Sequence, residues 1–332
     1  MDDISPLAFI DAALAFQKTA ALKAAVGLDL FTAIAHEDGD PARVAARVQA
    51  AERGVRSLCD FLTIHGFLQK ESARYRLTPS TAAFLTTSSP AWMGGIVDFL
   101  AAPEMIALWF DDPVSFVRNG GSVGLGNLSA DHPVWVKFAR AMVPFVAPTA
   151  HDIAQQVAAW PQPPKRVLDV AAGHGLFGIS IAKAVPDAEI VAVDWQAVLD
   201  VARENAGSAG VSARYRTLAG SAFDVDWGTD FDLVLLTNFL HHFDPATCVS
   251  LLSKVRRSLA PGARALAVEF VPNDDRVSPP FAAAFSLMML ASTPHGDAYT
   301  AREFEQMGRE AGFSKVTVTP LPPSPQSLVT FE

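Results

Sequence analysis

The chain has 332 residues, half of them hydrophobic, and a formal net charge of −9. That length predicts two domains, or one large domain with additions, with ample apolar material for a core. The acidic balance argues against nucleic acid, whose binding relies on clustered Lys and Arg. The first residues, Met-Asp-Asp-Ile-Ser-Pro, lack a basic stretch, so no signal peptide is expected. No uncharged apolar run reaches membrane-spanning length, and a cytoplasmic protein without membrane partners is expected.

Residues 7–26, rich in Ala, Leu and Phe, predict a helix that Gly27 stops. A short helix follows over 28–35, then a helix pair over 41–50 and 52–65, with Gly66 ending the second. Residues 67–70 and 75–78 alternate around a polar turn and predict a small hairpin. Helix, helix and hairpin form a winged-helix arrangement. Such arrangements often bind DNA, but the second helix carries Glu52 and Asp60 beside its two arginines. Leu7, Ile10, Leu14, Leu22, Leu28, Leu30 and Phe31 exceed what one thin helical layer buries in itself, which predicts a dimer interface.

Residues 90–160 continue as helix, punctuated by Pro90, Pro103, Pro113, Pro133, Pro144 and Pro148. The glycine run from Gly120 to Gly126 reads as a flexible loop; it lacks a preceding strand, so it is not a phosphate loop. Trp160-Pro-Gln-Pro-Pro164 is the linker candidate. The domains expected are 1–90, helical and winged-helix-like; 91–163, a helical connector; and 164–332.

From Arg166 the pattern changes to strand–helix alternation. Strands are expected over 167–171, 189–194, 213–218, 232–237, 264–271, 315–319 and 327–331. Helices are expected over 176–185, 196–207, 245–259, 279–291 and 301–311. The fold class is therefore α/β: a C-terminal doubly wound, Rossmann-like sheet of seven strands after an N-terminal helical domain. Its ligand belongs beyond the strand C-termini. The two cysteines, Cys59 and Cys248, show no metal or redox spacing and read as reduced, buried thiols.

The first of these strands carries the strongest motif. Asp169-Val-Ala-Ala-Gly173-His-Gly175 leads from an apolar strand through a tight turn into a helix. The glycines let the backbone approach a ligand, and the helix start offers unpaired N–H groups. Asp194 ends the second strand, where a carboxylate can accept both hydroxyls of a ribose. Gly173-x-Gly175-x-x-Gly178 also fits the dinucleotide fingerprint. Asp169 weighs against that: an acid repels a pyrophosphate but suits the ammonium and sulfonium of S-adenosylmethionine. An NAD(P)-dependent oxidoreductase stays open as the alternative.

The other strand ends supply the remaining candidates. Trp195 lines an adenine or ribose pocket, or caps the core. Gly220-Ser221-Ala222-Phe223 ends the third strand, and Phe223 is a wall for adenine or a core residue. Asn238 and the paired His241 and His242 follow the fourth. No third ligand with suitable spacing follows the histidines, so no metal is expected. A neutral imidazole is the natural base for a phenol, and His241 is the candidate. Glu269 closes the fifth strand 28 residues later, where a carboxylate could hold the ring's tautomer or pair with a surface cation. Helix 279–291 carries Phe281, Phe285, Met288 and Met289, and the connector carries Phe138, Met142 and Phe145, with Trp109 and Phe110 as weaker candidates. As a set, joined by His242, they predict an apolar acceptor pocket between domains for an aromatic molecule. Each is equally a core candidate.

With these residues in view, the chain resembles the S-adenosylmethionine-dependent O-methyltransferases of the plant caffeate/flavonoid type and their bacterial natural-product relatives. The likeness covers nearly the whole sequence: the dimerisation region at 7–85, Phe138-Ala-Arg-Ala-Met142, the glycine loop, Asp194-Trp195, Leu240-His241-His242-Phe243, Glu269 and Ala311-Gly312-Phe313. It implies methyl transfer to a hydroxyl, S-adenosylhomocysteine as product, His241 as base and a homodimer. Two positions depart from the family. Ser221 stands where it usually has an Asp near adenine, and Ala298 stands where plant members carry a second acid, with Asp297 adjacent. Transfer to nitrogen or carbon, or a non-catalytic regulatory protein that keeps the cofactor pocket, are the other readings.

Overall fold

The computed structural model describes residues 5–124 and 132–332. It divides into two compact units, Met1–Ile106 and Ala107–Glu332.

The first unit contains α1 (Leu7–Leu14), α2 (Phe16–Gly27), α3 (Leu30–His36), α4 (Pro41–Arg47), α5 (Glu52–Ile64), β1 (Leu68–Glu71), β2 (Arg74–Leu77), α6 (Pro79–Leu85) and α7 (Gly95–Leu100). Asp40 caps α4 by accepting from the Arg43 amide, with Pro41 at the first helical position. Leu30, Phe31 and Ile34 of α3 pack with Val44, Val55, Leu62, Leu68 and Tyr75. The Tyr75 hydroxyl donates to Asp60 Oδ1 (2.8 Å), and the Lys70 ammonium bonds the same oxygen (2.5 Å). Asp60 therefore fastens the β1–β2 hairpin to α5. The expected helix over 7–26 is two helices: at Ala15 the backbone tightens to an i→i−3 bond with Ala12. Nothing on α1 is buried, and Leu7 and Phe9 are 70 % and 76 % exposed.

Helix α8 (Pro103–Phe110) leads into the second unit, which continues with α9 (Pro113–Asn119), α10 (Pro133–Ala158), β3 (Arg166–Val170), α11 (Leu176–Ala184), β4 (Glu189–Asp194), α12 (Gln196–Ser208), β5 (Tyr215–Ala219), β6 (Phe231–Thr237), α13 (Pro245–Ser258), β7 (Leu259–Glu269), α14 (Pro280–Ser292), α15 (Ala301–Glu310), β8 (Val316–Pro320) and β9 (Ser327–Phe331). The sheet order is β5-β4-β3-β6-β7-β9-β8. The first five strands in that order are parallel; β9 is antiparallel to β7 and β8. Alternate residues feed two cores. Val167, Leu233, Leu235, Leu266 and Val268 pack with α10, α11 and α12. Leu168, Val170, Val234, Leu236 and Ala267 pack with α13 and α15 on the other face. The strand order reverses between β3 and β6, where the C-terminal ends open a crevice.

Two expectations on the approach to this sheet are corrected. Pro144 and Pro148 do not punctuate: both lie inside the 26-residue α10. A proline in a helix interior costs about 3 kcal/mol. The buried stripe of Val146, Ala150, Ile153, Ala154 and Val157 offsets that cost by packing on the first core. The glycine run is not a free loop either. The Ser122 amide donates to the Thr293 carbonyl (2.9 Å) and its hydroxyl to the Ala291 carbonyl (2.5 Å). A Cβ at Gly121 or Gly124 would lie 2.1 or 1.9 Å from the carbonyl oxygens of Pro294 or Ser292. These glycines allow the chain to lie directly on the end of α14; Gly126 is outside the described residues.

Candidate active site

The glycine loop after β3 turns through three left-handed residues: Ala171 (φ 53°), Gly173 (φ 58°) and Gly175 (φ 76°). The third caps α11 without a side chain. Beneath it lies Asp169, fully buried, whose Oδ2 accepts from the Gly178 amide (3.1 Å). A Cβ at Gly178 would sit 2.8 Å from that oxygen, so the third fingerprint glycine is there for the acid. Asp169 thus shapes the loop from below and does not open onto its outer face. Its other oxygen and the Tyr215 hydroxyl, both buried, have no hydrogen-bond partner among the described residues. Burial, despite the Gly178 bond, pushes the Asp169 carboxyl up to about 7, and the Asp194 charge adds to this. His174, between the glycines, is buried, pushed down to about 4 by desolvation, and accepts from the Leu176 amide.

Asp194 closes the loop from the next strand. Its Oδ2 accepts from the Gly173 amide (2.8 Å) and its Oδ1 from the Trp195 amide (2.7 Å). Each oxygen retains a lone pair, and burial raises this carboxyl to about 6. Trp195 and Phe223 are 37 % and 39 % exposed. Gly220 (φ 144°) donates to the Asp194 carbonyl, and Ser221 Oγ accepts from the Phe223 amide. Ala222 is buried. Asn238, at φ 55°, donates its amide to Val268 and accepts at Oδ1 from Gln326.

The β6 end builds a different arrangement. Glu269 is 1 % exposed; its Oε1 accepts from the Phe239 (3.1 Å) and Leu240 (2.9 Å) amides. Its Oε2 lies 2.5 Å from His241 Nδ1. A carboxylate only accepts, so Nδ1 carries the proton and Nε2 is the basic nitrogen. The His241 ring meets Phe285 edge-to-face at 4.9 Å and tilts against exposed His242 at 4.4 Å. Phe285 stacks in turn on Phe270 at 4.2 Å. Gly296 opens the segment that resembles the family's second-acid region, and the resemblance gives the glycine no role; a Cβ there would come 2.2 Å from the His241 carbonyl oxygen. The turn before α15 therefore presses directly on the backbone of this loop. Asp297 faces Arg276 (3.0 Å) and the Ala298 amide, and Ala298 is fully buried.

The expected pocket residues separate by burial. Met142, Phe285 and Met288 are half-buried, and Phe138 is 37 % exposed. Met289 is buried and Phe145 packs against the first core, so both contribute to packing within the unit.

Comparison with known proteins decides what this geometry belongs to. Residues 115–314 match the O-methyltransferase domain model, and residues 10–87 match the O-methyltransferase dimerisation domain. The chain belongs to the O-methyltransferase family. It is 29% identical to the 3-hydroxy-5-methyl-1-naphthoate 3-O-methyltransferase of Streptomyces sahachiroi, over 94% of this chain and 90% of that one. A Nostoc punctiforme crystal structure assigned to the O-methyltransferases is 47% identical, with a TM-score of 0.93 over 99% of each chain. PigF, solved with S-adenosylhomocysteine, is 25% identical, with a TM-score of 0.83 over 99% of this chain and 100% of that one. The protein is an S-adenosylmethionine-dependent O-methyltransferase, and the dinucleotide alternative falls away.

The loop fits that donor. A Cβ built on Gly173 meets nothing nearer than 4.0 Å, so the backbone there faces open space. Asp194 keeps acceptor capacity for two hydroxyls.

Proposed function

We propose that the enzyme methylates a hydroxyl of a small, apolar aromatic acceptor, with His241 as general base. The observation that carries this is the His241–Glu269 contact at 2.5 Å, which fixes the tautomer that leaves Nε2 free to take a proton. Gly173, Gly175 and Asp194 would hold the donor's amino-acid and ribose parts, with Trp195, Gly220, Ser221, Ala222, Phe223 and Asn238 around its adenosine and Asp169 supporting the loop. The bound donor supplies a methyl group already activated by its sulfonium charge. The protein's work is then alignment and deprotonation. His241 accepts the hydroxyl proton at Nε2, and Glu269 stabilises the imidazolium that results.

Phe285, Met288, Phe138 and Met142 supply apolar and thioether surface for a flat ring, beside His242. The naphthoate-methylating relative supports a phenolic, fused-ring acceptor. The matched dimerisation domain, with the bare face of α1, supports a homodimer. No helix among the described residues is long and apolar enough to cross a membrane, which is consistent with a cytoplasmic biosynthetic role.

The test is methyl transfer to a panel of naphthols and hydroxynaphthoates. The expected result is turnover that falls by about two to four orders of magnitude in His241→Ala, with S-adenosylhomocysteine affinity within about twofold. Turnover near the wild-type rate in that variant would remove His241 as base. Turnover of amines alone would move the acceptor atom from oxygen to nitrogen.

A further inference from the structure

Ser221 leaves the adenine side of the donor site without the acid the family usually has there, so something else must set that wall. The turn that follows β5 is short, and its internal bonds converge on one residue. Ser221 accepts from the Phe223, Asp224 and Val225 amides, leaving the carbonyls of the same turn to find donors elsewhere. One side chain supplies three of them. Lys254, on α13, donates to the carbonyls of Ala222 (2.9 Å), Phe223 (3.1 Å) and Val225 (2.7 Å). An ammonium has three protons, and all three are used. The same ammonium lies over the Trp227 ring, 3.9 Å from the centroid. Phe223 then packs edge-to-face on Phe243 at 5.1 Å, and Phe243 on Phe239 at 5.0 Å. The half-buried ammonium and the buried indole together lock the backbone that presents an exposed ring.

We propose that Lys254 is a positioning residue for the methyl donor: by binding three carbonyls of the 222–225 turn, it holds Phe223 as the wall for adenine. The inference rests on the donor-site reading above. Lys254 touches neither donor nor acceptor; it acts through the backbone of Phe223. The consequence is a split in function. Loss of Lys254 weakens the adenosine end of the donor and leaves the His241–Glu269 pair and the acceptor pocket as they are.

Calorimetry on the full chain with S-adenosylhomocysteine and with 5′-methylthioadenosine tests this, alongside steady-state kinetics. Lys254→Met is expected to weaken both ligands equally, by about ten- to thirtyfold. KM for S-adenosylmethionine should rise in step, with kcat at saturation within about twofold. Lys254→Gln, whose amide keeps two donors, should fall between wild type and Lys254→Met, and serves alone if the Met variant does not fold. In a double-mutant cycle, Lys254→Met should add nothing once Phe223→Ala has removed the wall. Unchanged affinity in a folded variant, additive losses, or a loss in kcat alone would each overturn the proposal. Failure of the wild-type protein to bind S-adenosylhomocysteine would instead overturn the donor-site reading itself.

Discussion

The two halves of the strand-end crevice use carboxylates in opposite ways. On the β3–β4 side, Asp169 and Asp194 give their oxygens to backbone amides of Gly178, Gly173 and Trp195. On the β6–β7 side, Glu269 gives one oxygen to two amides and the other to an imidazole. The first pair builds a loop; the third builds a loop and orients an imidazole. A carboxylate at a strand end is thus not a functional assignment by itself. What its second oxygen faces decides the role.

Glu269→Gln breaks this contrast most sharply. The amide oxygen would keep the two backbone donors, and the NH2 would then face His241 Nδ1. That forces the proton onto Nε2 and removes the base. We expect kcat to fall by about 10²- to 10⁴-fold with donor affinity little changed. The corresponding Asp194→Asn should do the reverse, raising KM for S-adenosylmethionine with a smaller effect on kcat. If both variants lose kcat alike, the two sides are not separable.

Next in size is Gly296→Ala. The added Cβ would meet the His241 carbonyl oxygen at 2.2 Å, so one of the two backbones must move. A displacement of about 1 Å in a catalytic group costs up to about 10²-fold. We expect a kcat loss of that order with S-adenosylhomocysteine binding retained. Full activity would show that the 293–296 turn yields and the base loop does not depend on it.

The loop-building pair sharpens the comparison through pH. Burial raises Asp169 to about 7 and Asp194 to about 6, both from an ordinary value of 3.8. Between pH ~4 and ~7 these two carboxyls therefore bind more protons in the folded, ligand-free chain than in the unfolded one. Their contribution to stability falls as pH rises through that window and is flat above it. A cationic donor favours the ionised carboxylates, so its affinity should rise over the same window. We expect S-adenosylmethionine to bind about tenfold more weakly at pH 5 than at pH 8, and its thermal-shift increment to grow with pH. Asp194→Asn should flatten the lower part of that rise. A flat affinity across pH 5–8 would mean that the pair does not titrate there.

Much of the second unit was legible because its strands are short apolar runs between helical patterns. The expected strand over 189–194 is β4 itself, and the helices after it shift by a residue or so. The glycine loop and Asp194 were legible for a similar reason: tight turns demand particular residue types. Three things were not. Pro144 and Pro148 lie within a helix because tertiary burial outweighs local propensity, and no local rule contains that burial. Asp169 reads in sequence as a partner for a cationic ligand, but only the fold shows the Gly178 amide it holds. Lys254 lies in no motif and Gly296 has no role in the one it opens, since each matters through backbone carbonyls that lie 29 to 55 residues away along the chain.

The smallest expected effect concerns a group that sits beside the proposed base and is expected to take no part. Cys248 Sγ donates to the Leu240 carbonyl at 3.2 Å, one residue from His241. A thiol so near the proposed base invites reading as a nucleophile or redox switch. Burial, then the charges of Glu269 and Asp244, push it up to about 12; burial does the same to Cys59. Thiolate, the reactive form, is then scarce at neutral pH. Iodoacetamide at pH 7.5 should leave both cysteines unmodified in the native protein and label both after unfolding, with activity of the treated native enzyme unchanged. Rapid labelling of Cys248 with loss of turnover would show that the β6 loop opens on the reaction timescale. In that case Glu269 would not hold His241 rigidly, and the contrast between the two sides would be one of mobility as well as of chemistry.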